Sequence, residues 1–146
     1  MIAMPYKYLK DVSIADVAFV ATGATLEEMF ESAGLATTNV MVKDLKAVKK
    51  KITKKVRLDS DSIEKLLFNF LQEFVFWKDK DLLLFSDVSV EISEKNKKFF
   101  LNAALSGEKI DAKRHEMLVD VKAVTWHLFS VAKKGKKYQC QVVLDI

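Results

Sequence analysis

The chain has 146 residues, of which half are hydrophobic and 30% are charged, and its formal net charge is +4. This composition indicates one folded domain over residues 1–146 and excludes a disordered or low-complexity chain. No apolar run approaches the roughly 20 residues of a membrane-spanning helix, and residues 1–10 lack a secretory signal. We therefore expect a cytoplasmic protein with no membrane partner.

The first long apolar segment, Ser13–Thr22, predicts a core strand that contains one acid, Asp16. A carboxylate in a core strand is costly to bury unless it has a partner, a metal ion or access to solvent. Asp16 is therefore a candidate metal ligand. The alternative, that it only caps the end of a strand, stays open on the residues alone.

Two amphipathic helices are predicted. The first begins with the capping box Thr25-Leu26-Glu27-Glu28, in which Thr25 bonds forward and Glu28 reaches back. The second is predicted to start near Ser60-Asp61 and to carry an apolar stripe from Ile63 to Phe74. A stripe this regular indicates a helix that packs on a sheet rather than a cofactor site.

Between the two helices the chain is strongly basic, and its alternation predicts a strand from Val48 to Leu58. One face of this strand would carry Lys49, Lys51, Lys55 and Arg57. Such a face can contact phosphates or an acidic protein, but lysines also protect an exposed edge strand from aggregation. We favour the solvated edge and keep a partner-contact patch formed by these four residues as the alternative.

The C-terminal part is predicted to be strands, joined in pairs by short turns. The first pair, Leu82–Ile92 and Lys98–Leu105, flanks a hairpin connection at Ser93–Lys97, and the second pair consists of Val119–Ala132 and Tyr138–Asp145. The element order predicts an α+β layered domain, with mixed or antiparallel sheets and two helices packed on the sheet face.

No catalytic motif is recognisable, and no nucleophile stands beside a base. We expect His115 to be solvated in a polar loop and His127 to lie on a strand, either packed or at the surface. Lys122 follows Asp120 and is interpreted as an ion-pair lysine or as a functional cation. The lone cysteine, Cys140, excludes an internal disulfide, and its place in a strand predicts core packing.

The chain closes on Asp145-Ile146, directly after the apolar run Val142-Val143-Leu144. The side-chain carboxylate of Asp145 thus lies next to the main-chain carboxylate of Ile146. A hard divalent cation, which takes oxygen ligands, would relieve the repulsion between them. Fraying of Asp145 with the terminus is the alternative.

Segments along the whole chain together resemble the archease family. They are Tyr8-Leu9, Ala15-Asp16-Val17, Gly23–Phe30, Leu66–Glu73, Gly107-Glu108, Asp120–His127 and Val142–Ile146. The most specific parts are the lysine-alanine-valine-threonine-aromatic-histidine run and the aspartate-isoleucine end. One departure is Ser13-Ile14-Ala15-Asp16, where many members have histidine-threonine-alanine-aspartate.

The resemblance implies an accessory protein of the RtcB-type tRNA-splicing ligase that promotes guanylylation and multiple turnover of the ligase and is not itself an enzyme. It also implies a metal site at Asp16, Asp145 and Ile146, with Ca²⁺ as the first expectation and Mg²⁺ or Mn²⁺ as alternatives. Lys122 matches a lysine considered functional in the family. RNA would be met only through the ligase.

Two other classes of function stay open. A stand-alone metal-dependent hydrolase would use Asp16, Asp145 and Lys122, but no phosphate-cradling loop is evident. A general chaperone or RNA-binding module would use the basic strand, and its binding to RNA would fall steeply with salt.

Overall fold

The computed structural model describes residues 5–9 and 15–146. The prediction for Ser13 and Ile14 lies outside the described residues, and a single domain over residues 1–146 stays a prediction. In chain order the elements are β1 (Tyr6–Leu9), β2 (Asp16–Gly23), α1 (Leu26–Met41), a short 3-10 turn (Leu45–Ala47), β3 (Ile52–Ser60), α2 (Ile63–Asp81), β4 (Leu83–Lys95), β5 (Lys98–Lys109), β6 (Ala123–Lys134) and β7 (Lys137–Asp145).

The strands form two antiparallel sheets. A four-stranded sheet has the order β1-β2-β7-β6, and a three-stranded sheet has the order β3-β5-β4. Helix α1 contacts β2 and β4, and α2 contacts β6, β3 and β4, so each helix touches both sheets. The predicted α+β class with two helices on the sheets is confirmed, and the sheets are antiparallel rather than mixed.

Helix α1 begins as predicted. The hydroxyl of Thr25 accepts a hydrogen bond from the Glu28 N–H at 3.1 Å. The Glu28 carboxylate reaches back to the Ala24 N–H at 2.8 Å, one residue before the cap. The helix buries an apolar face that includes Met29 and Phe30, both fully inaccessible to solvent.

Helix α2 begins slightly later than predicted, because its N-cap is Ser62, whose hydroxyl accepts from the Lys65 N–H at 3.2 Å. The helix ends at Asp81, and its C-cap Leu82 takes a left-handed conformation with φ of 56°. Within the described part of the chain, no helix is long and apolar enough to cross a membrane.

The observed strands differ from the predicted ones in several places. The strand predicted from Val48 begins only at Ile52, because the residues before it form a loop that is hydrogen-bonded elsewhere. The β4–β5 connection is a two-residue turn at Asn96-Lys97, both with positive φ, which is the geometry of tight hairpins. The pairing of β6 with β7 is interrupted between Thr125 and Ser130 by a bulge.

Candidate functional site

Three strand ends meet where the predicted metal ligands lie. The sheet order places β7 between β2 and β6. Asp16, the first residue of β2, is the register partner of Asp145, the last residue of β7. Asp145 is in turn opposite Ala123, the first residue of β6. The structure therefore brings together two of the predicted ligands that are 129 positions apart in the sequence.

The two carboxylates form a closely spaced pair. The Ile146 N–H donates to the Ala15 carbonyl at 3.0 Å, so these two neighbours hydrogen-bond across the strands. In an antiparallel ladder, the next pair inward is then a non-hydrogen-bonded pair, with Cα atoms about 4.5 Å apart and side chains on the same face. Both acids are half-buried, and like charges directly opposite one another are destabilising.

The acids point away from the helices. Phe19 of β2 and Val142 of β7 are fully buried in the core that the helices cover. Side chains alternate along a strand, and Asp16 and Asp145 each lie an odd number of residues from these core positions. The pair therefore lies on the outer face of the four-stranded sheet, at its end.

The donor chemistry of this pair fits a hard divalent cation. Within residues 5–9 and 15–146, no three His, Cys, Asp or Glu side chains are grouped closely enough to hold a metal ion. The candidate set is instead two side-chain carboxylates, from Asp16 and Asp145, together with the predicted main-chain carboxylate of Ile146. Carboxylate oxygens are ligands that Ca²⁺ and Mg²⁺ accept.

Lys122 lies beside this pair. Its backbone N–H donates to the Asp145 carbonyl at 2.8 Å, and its side chain is exposed. The interpretation of Lys122 as an ion-pair lysine is wrong for the described residues. The carboxylate of its neighbour Asp120 pairs instead with Lys78 of α2, 42 positions earlier.

The predicted basic patch divides into two parts. Lys49 and Lys51 belong to the loop before β3, where the Lys49 N–H and the Lys51 ammonium both approach the carboxylate of Glu108. Lys55 and Arg57 lie on β3 itself and are exposed on the face opposite the buried Val56. The patch is therefore not one continuous strand face.

His115 is the clearest correction to the sequence analysis. Its side chain is fully buried rather than solvated. Ring atom Nδ1 accepts a hydrogen bond from the Asp111 N–H at 2.9 Å, so Nε2 carries the proton and donates to Glu108 at 3.0 Å. The local sequence Lys113-Arg114-His115-Glu116 looks polar, and the buried partner Glu108 lies on a different element.

Glu108 is a saturated carboxylate. It is 3% exposed and accepts from Arg114 Nη2 at 2.6 Å and from the Lys49 N–H at 2.7 Å, in addition to His115. The hydrogen bond from Arg114 is the main reason why the pKa of Glu108 falls to about 2, although burial opposes this shift. The cluster joins the loop before β3, the end of β5 and the segment after it, which indicates a structural role.

Other predicted residues behave as follows. Cys140 is fully buried, as predicted, and burial raises the pKa of its thiol to about 12. His127 is exposed within the β6 bulge. The buried Lys78 was not predicted from the sequence, although a signal was present, because Lys78 extends the helical spacing of the buried Leu67, Leu71 and Phe74.

Comparison with known proteins agrees with the fold and the resemblance. A solution structure of a Methanobacterium thermoautotrophicum protein is 34% identical to this chain, has a TM-score of 0.86, and is matched over 99% of this chain and 100% of its own. A Thermotoga maritima crystal structure, described as an archease and possible chaperone, shares the fold with a TM-score of 0.60 at 16% identity, over 94% of this chain and 97% of its own.

Sequence relatives cover nearly all of the chain. Protein archease of Pyrococcus furiosus is 34% identical over 133 residues, which are 90% of this chain and 93% of that protein. Protein archease of Sulfurisphaera tokodaii is 36% identical over 132 residues, with the same coverage of both chains. A model of the Archease protein family matches residues 6–146. The chain belongs to the archease protein family.

Proposed function

We propose that this protein is a metal-binding accessory factor that activates an RtcB-type tRNA-splicing ligase by promoting guanylylation and multiple turnover of the ligase. The observation that carries the proposal is the in-register pairing of Asp16 with Asp145 at the end of a sheet, in a chain of the archease family. Family membership supports this partner class, and the paired acids support binding of an ion at the sheet end. A cytoplasmic location, where the ligase would meet its RNA, belongs to the same proposal.

The roles of the residues follow from their chemistry. Asp16, Asp145 and the main-chain carboxylate of Ile146 would hold a divalent cation, Ca²⁺ first and Mg²⁺ or Mn²⁺ as alternatives. A bound divalent cation supplies positive charge that offsets the carboxylates and can attract phosphate oxygens. The main chain of Lys122 is hydrogen-bonded to Asp145, and its exposed ammonium would meet a phosphate or a carboxylate of the ligase.

The test is the rate at which the cognate ligase becomes guanylylated from GTP, together with multiple-turnover RNA joining. Wild-type protein should accelerate both. Asp145→Asn and Lys122→Ala should each reduce the acceleration roughly tenfold, because each removes a charge-assisted contact. Asp59→Asn is the matched control. Asp59 is an exposed carboxylate on a strand, and its ion pair in the described part of the chain is with Lys98.

Two outcomes would decide against the proposal. If wild-type protein leaves the guanylylation rate of the ligase unchanged, the accessory role fails. Turnover of RNA or nucleotides by the purified protein alone would favour the hydrolase alternative instead.

A further inference from the structure

Lys78 is a buried lysine in the last turn of α2. It is 5% exposed, and its ammonium donates to the carboxylates of Asp79 and Asp120 and, at 2.9 Å, to the carbonyl of Val121. An ammonium has three N–H donors, so all of them are used. The segment that receives two of these bonds leads directly into β6.

A charge at this place is unusual, because burying an ammonium is costly. A protein with an apolar residue in place of a buried ion-pair residue is often no less stable. Burial by itself would lower the pKa of Lys78. The hydrogen bonds from Lys78 to Asp120 and Asp79 outweigh burial, and the pKa is raised, so the lysine is charged. A buried and fully bonded charge fixes one geometry, since breaking any of its bonds leaves a donor without an acceptor.

The carbonyl of Val121 is the start of a chain of hydrogen-bonded peptide groups. This carbonyl and the Lys122 N–H belong to one planar peptide, and that N–H donates to the Asp145 carbonyl at 2.8 Å. The Asp145 carbonyl and the Ile146 N–H form the next peptide, which donates to the Ala15 carbonyl at 3.0 Å. The third peptide joins Ala15 to Asp16.

We propose that Lys78 is a positioning residue, which holds Lys122, Asp145 and Asp16 in place through these three peptide groups. Each peptide is rigid, so fixing its carbonyl also fixes the Cα atoms on either side. The bonds run in one direction, from the ammonium through each C=O and N–H, and hydrogen bonds in such a chain polarise one another. What the positioned residues do rests on the proposed function, whereas the positioning itself does not.

The test is amide hydrogen exchange, measured by NMR on the full-length isolated protein, in wild type and in Lys78→Met. Exchange of the Lys122 and Ile146 amides should accelerate roughly tenfold or more, because a charge-assisted hydrogen bond at the head of the chain is lost. Amides of the distant strand β5, such as that of Leu105, should be unchanged. The affinity of Lys78→Met for Ca²⁺, measured by calorimetric titration, should be lower than that of wild type.

Lys65→Met is the matched control. Lys65 is also a lysine of α2 with a carboxylate partner, Asp61, but it is exposed and lies in the first turns of the helix. This control should leave exchange at Lys122 and Ile146 as in wild type. Unchanged exchange at these two amides in Lys78→Met would overturn the inference, as would an equal acceleration throughout the chain in a variant that is still folded.

A second variant covers the case in which Lys78→Met does not fold. Asp120→Asn keeps the lysine and removes one of its charged partners, whose side chain is 61% exposed. If the acceleration of exchange relative to wild type is larger at Lys122 and Ile146 than at Leu105, the positioning role is supported. If exchange is unchanged, or is accelerated equally at all three amides, the positioning role is contradicted. If wild-type protein fails to stimulate the ligase, the proposed function fails, but the exchange result still decides the positioning role.

Discussion

Two carboxylates near the ends of strands show how differently one chemical group can be used. Glu108, near the end of β5, is almost fully buried and accepts hydrogen bonds from Arg114, His115 and the Lys49 N–H. Asp145, at the end of β7, is half-buried and lies opposite a second carboxylate, Asp16. The first carboxylate has its charge compensated by the fold, whereas the second lies next to a charge of its own sign.

This difference distinguishes a structural site from the proposed binding site. Removing the carboxylate of Glu108 leaves several donors buried without an acceptor, so the fold should lose stability. Removing the carboxylate of Asp145 relieves repulsion, so the fold without an ion should lose little or gain. A ligand that binds only the folded protein adds stability, and a cation should therefore stabilise the second region selectively.

The largest effect is expected for Glu108→Gln. The amide replaces one carboxylate oxygen by an NH2 donor, which then faces either Arg114 or His115, both of which are themselves donors. Unfolding should therefore become easier by about 3 kcal/mol. Urea denaturation followed by circular dichroism measures this. Glu116→Gln is the control, since Glu116 is an exposed carboxylate with one ion pair to Lys43, and should stay within about 0.5 kcal/mol of wild type. A stability loss as small for Glu108→Gln as for the control would mean that the cluster is not structural.

The pH dependence of stability tests the same comparison between Glu108 and Asp145. The folded-state pKa of Glu108 is lowered from 4.5 to about 2, so the unfolded chain binds this proton at higher pH than the folded chain does. The stability from Glu108 is therefore fully present above about pH 4.5 and is lost as the pH falls towards 2. Denaturation at pH 5, 4, 3 and 2 should show the gap between wild type and Glu108→Gln narrowing. A gap of constant size would contradict the lowered pKa.

A smaller effect of opposite sign is expected at the strand ends. Without divalent ions, Asp145→Asn should stabilise the protein by about 0.2–1 kcal/mol, because a like-charge pair across the strands is removed. Thermal unfolding in the presence of a chelator tests this. With saturating Ca²⁺ the order should reverse, since only wild type gains from the ion. A variant less stable than wild type in chelator would indicate that Asp145 is structural.

The smallest effect is expected on the exposed strand β3. Reversing the charges of Lys55 and Arg57 to Glu should change stability by less than about 0.5 kcal/mol, because both side chains are exposed. Stimulation of the ligase should also be unchanged if these residues only protect an edge. Loss of stimulation with stability intact would instead support the partner-contact patch.

Local signals in the sequence predicted much of the fold. The capping box at Thr25, the stripe of α2 and the alternation around Cys140 each depend on residues close in sequence, and all three are found in the structure. Asp16 was recognisable as a candidate site residue because a carboxylate in an apolar segment is costly to bury, and Asp145 because it lies next to the main-chain carboxylate of Ile146. The register that places them opposite each other on β2 and β7 could not be predicted, because strand pairing depends on the whole sheet.

The residues that were missed have distant partners. Glu108 meets the Lys49 N–H across 59 positions, and Lys78 meets Asp120 across 42. No local pattern reports such contacts, so Lys122 looked paired with its neighbour Asp120. Glu108 and His115 are only seven positions apart, but Glu108 also accepts from the distant Lys49 N–H, and His115 looked solvated because this burial was not predicted. The spacing of Leu67, Leu71 and Phe74 does extend to Lys78, and a charged residue on a buried stripe is a signal that can be read.

Calorimetric titration of the isolated protein with Ca²⁺ tests the central claim most directly. Wild type should bind one ion saturably, and Asp145→Asn should bind roughly tenfold more weakly or not at all. Adding residues after Ile146 should weaken binding in the same way, because the extension removes the main-chain carboxylate and leaves every side chain in place. Equal affinity of wild type, Asp145→Asn and the extended chain, or no binding by wild type to Ca²⁺, Mg²⁺ or Mn²⁺, would contradict the account.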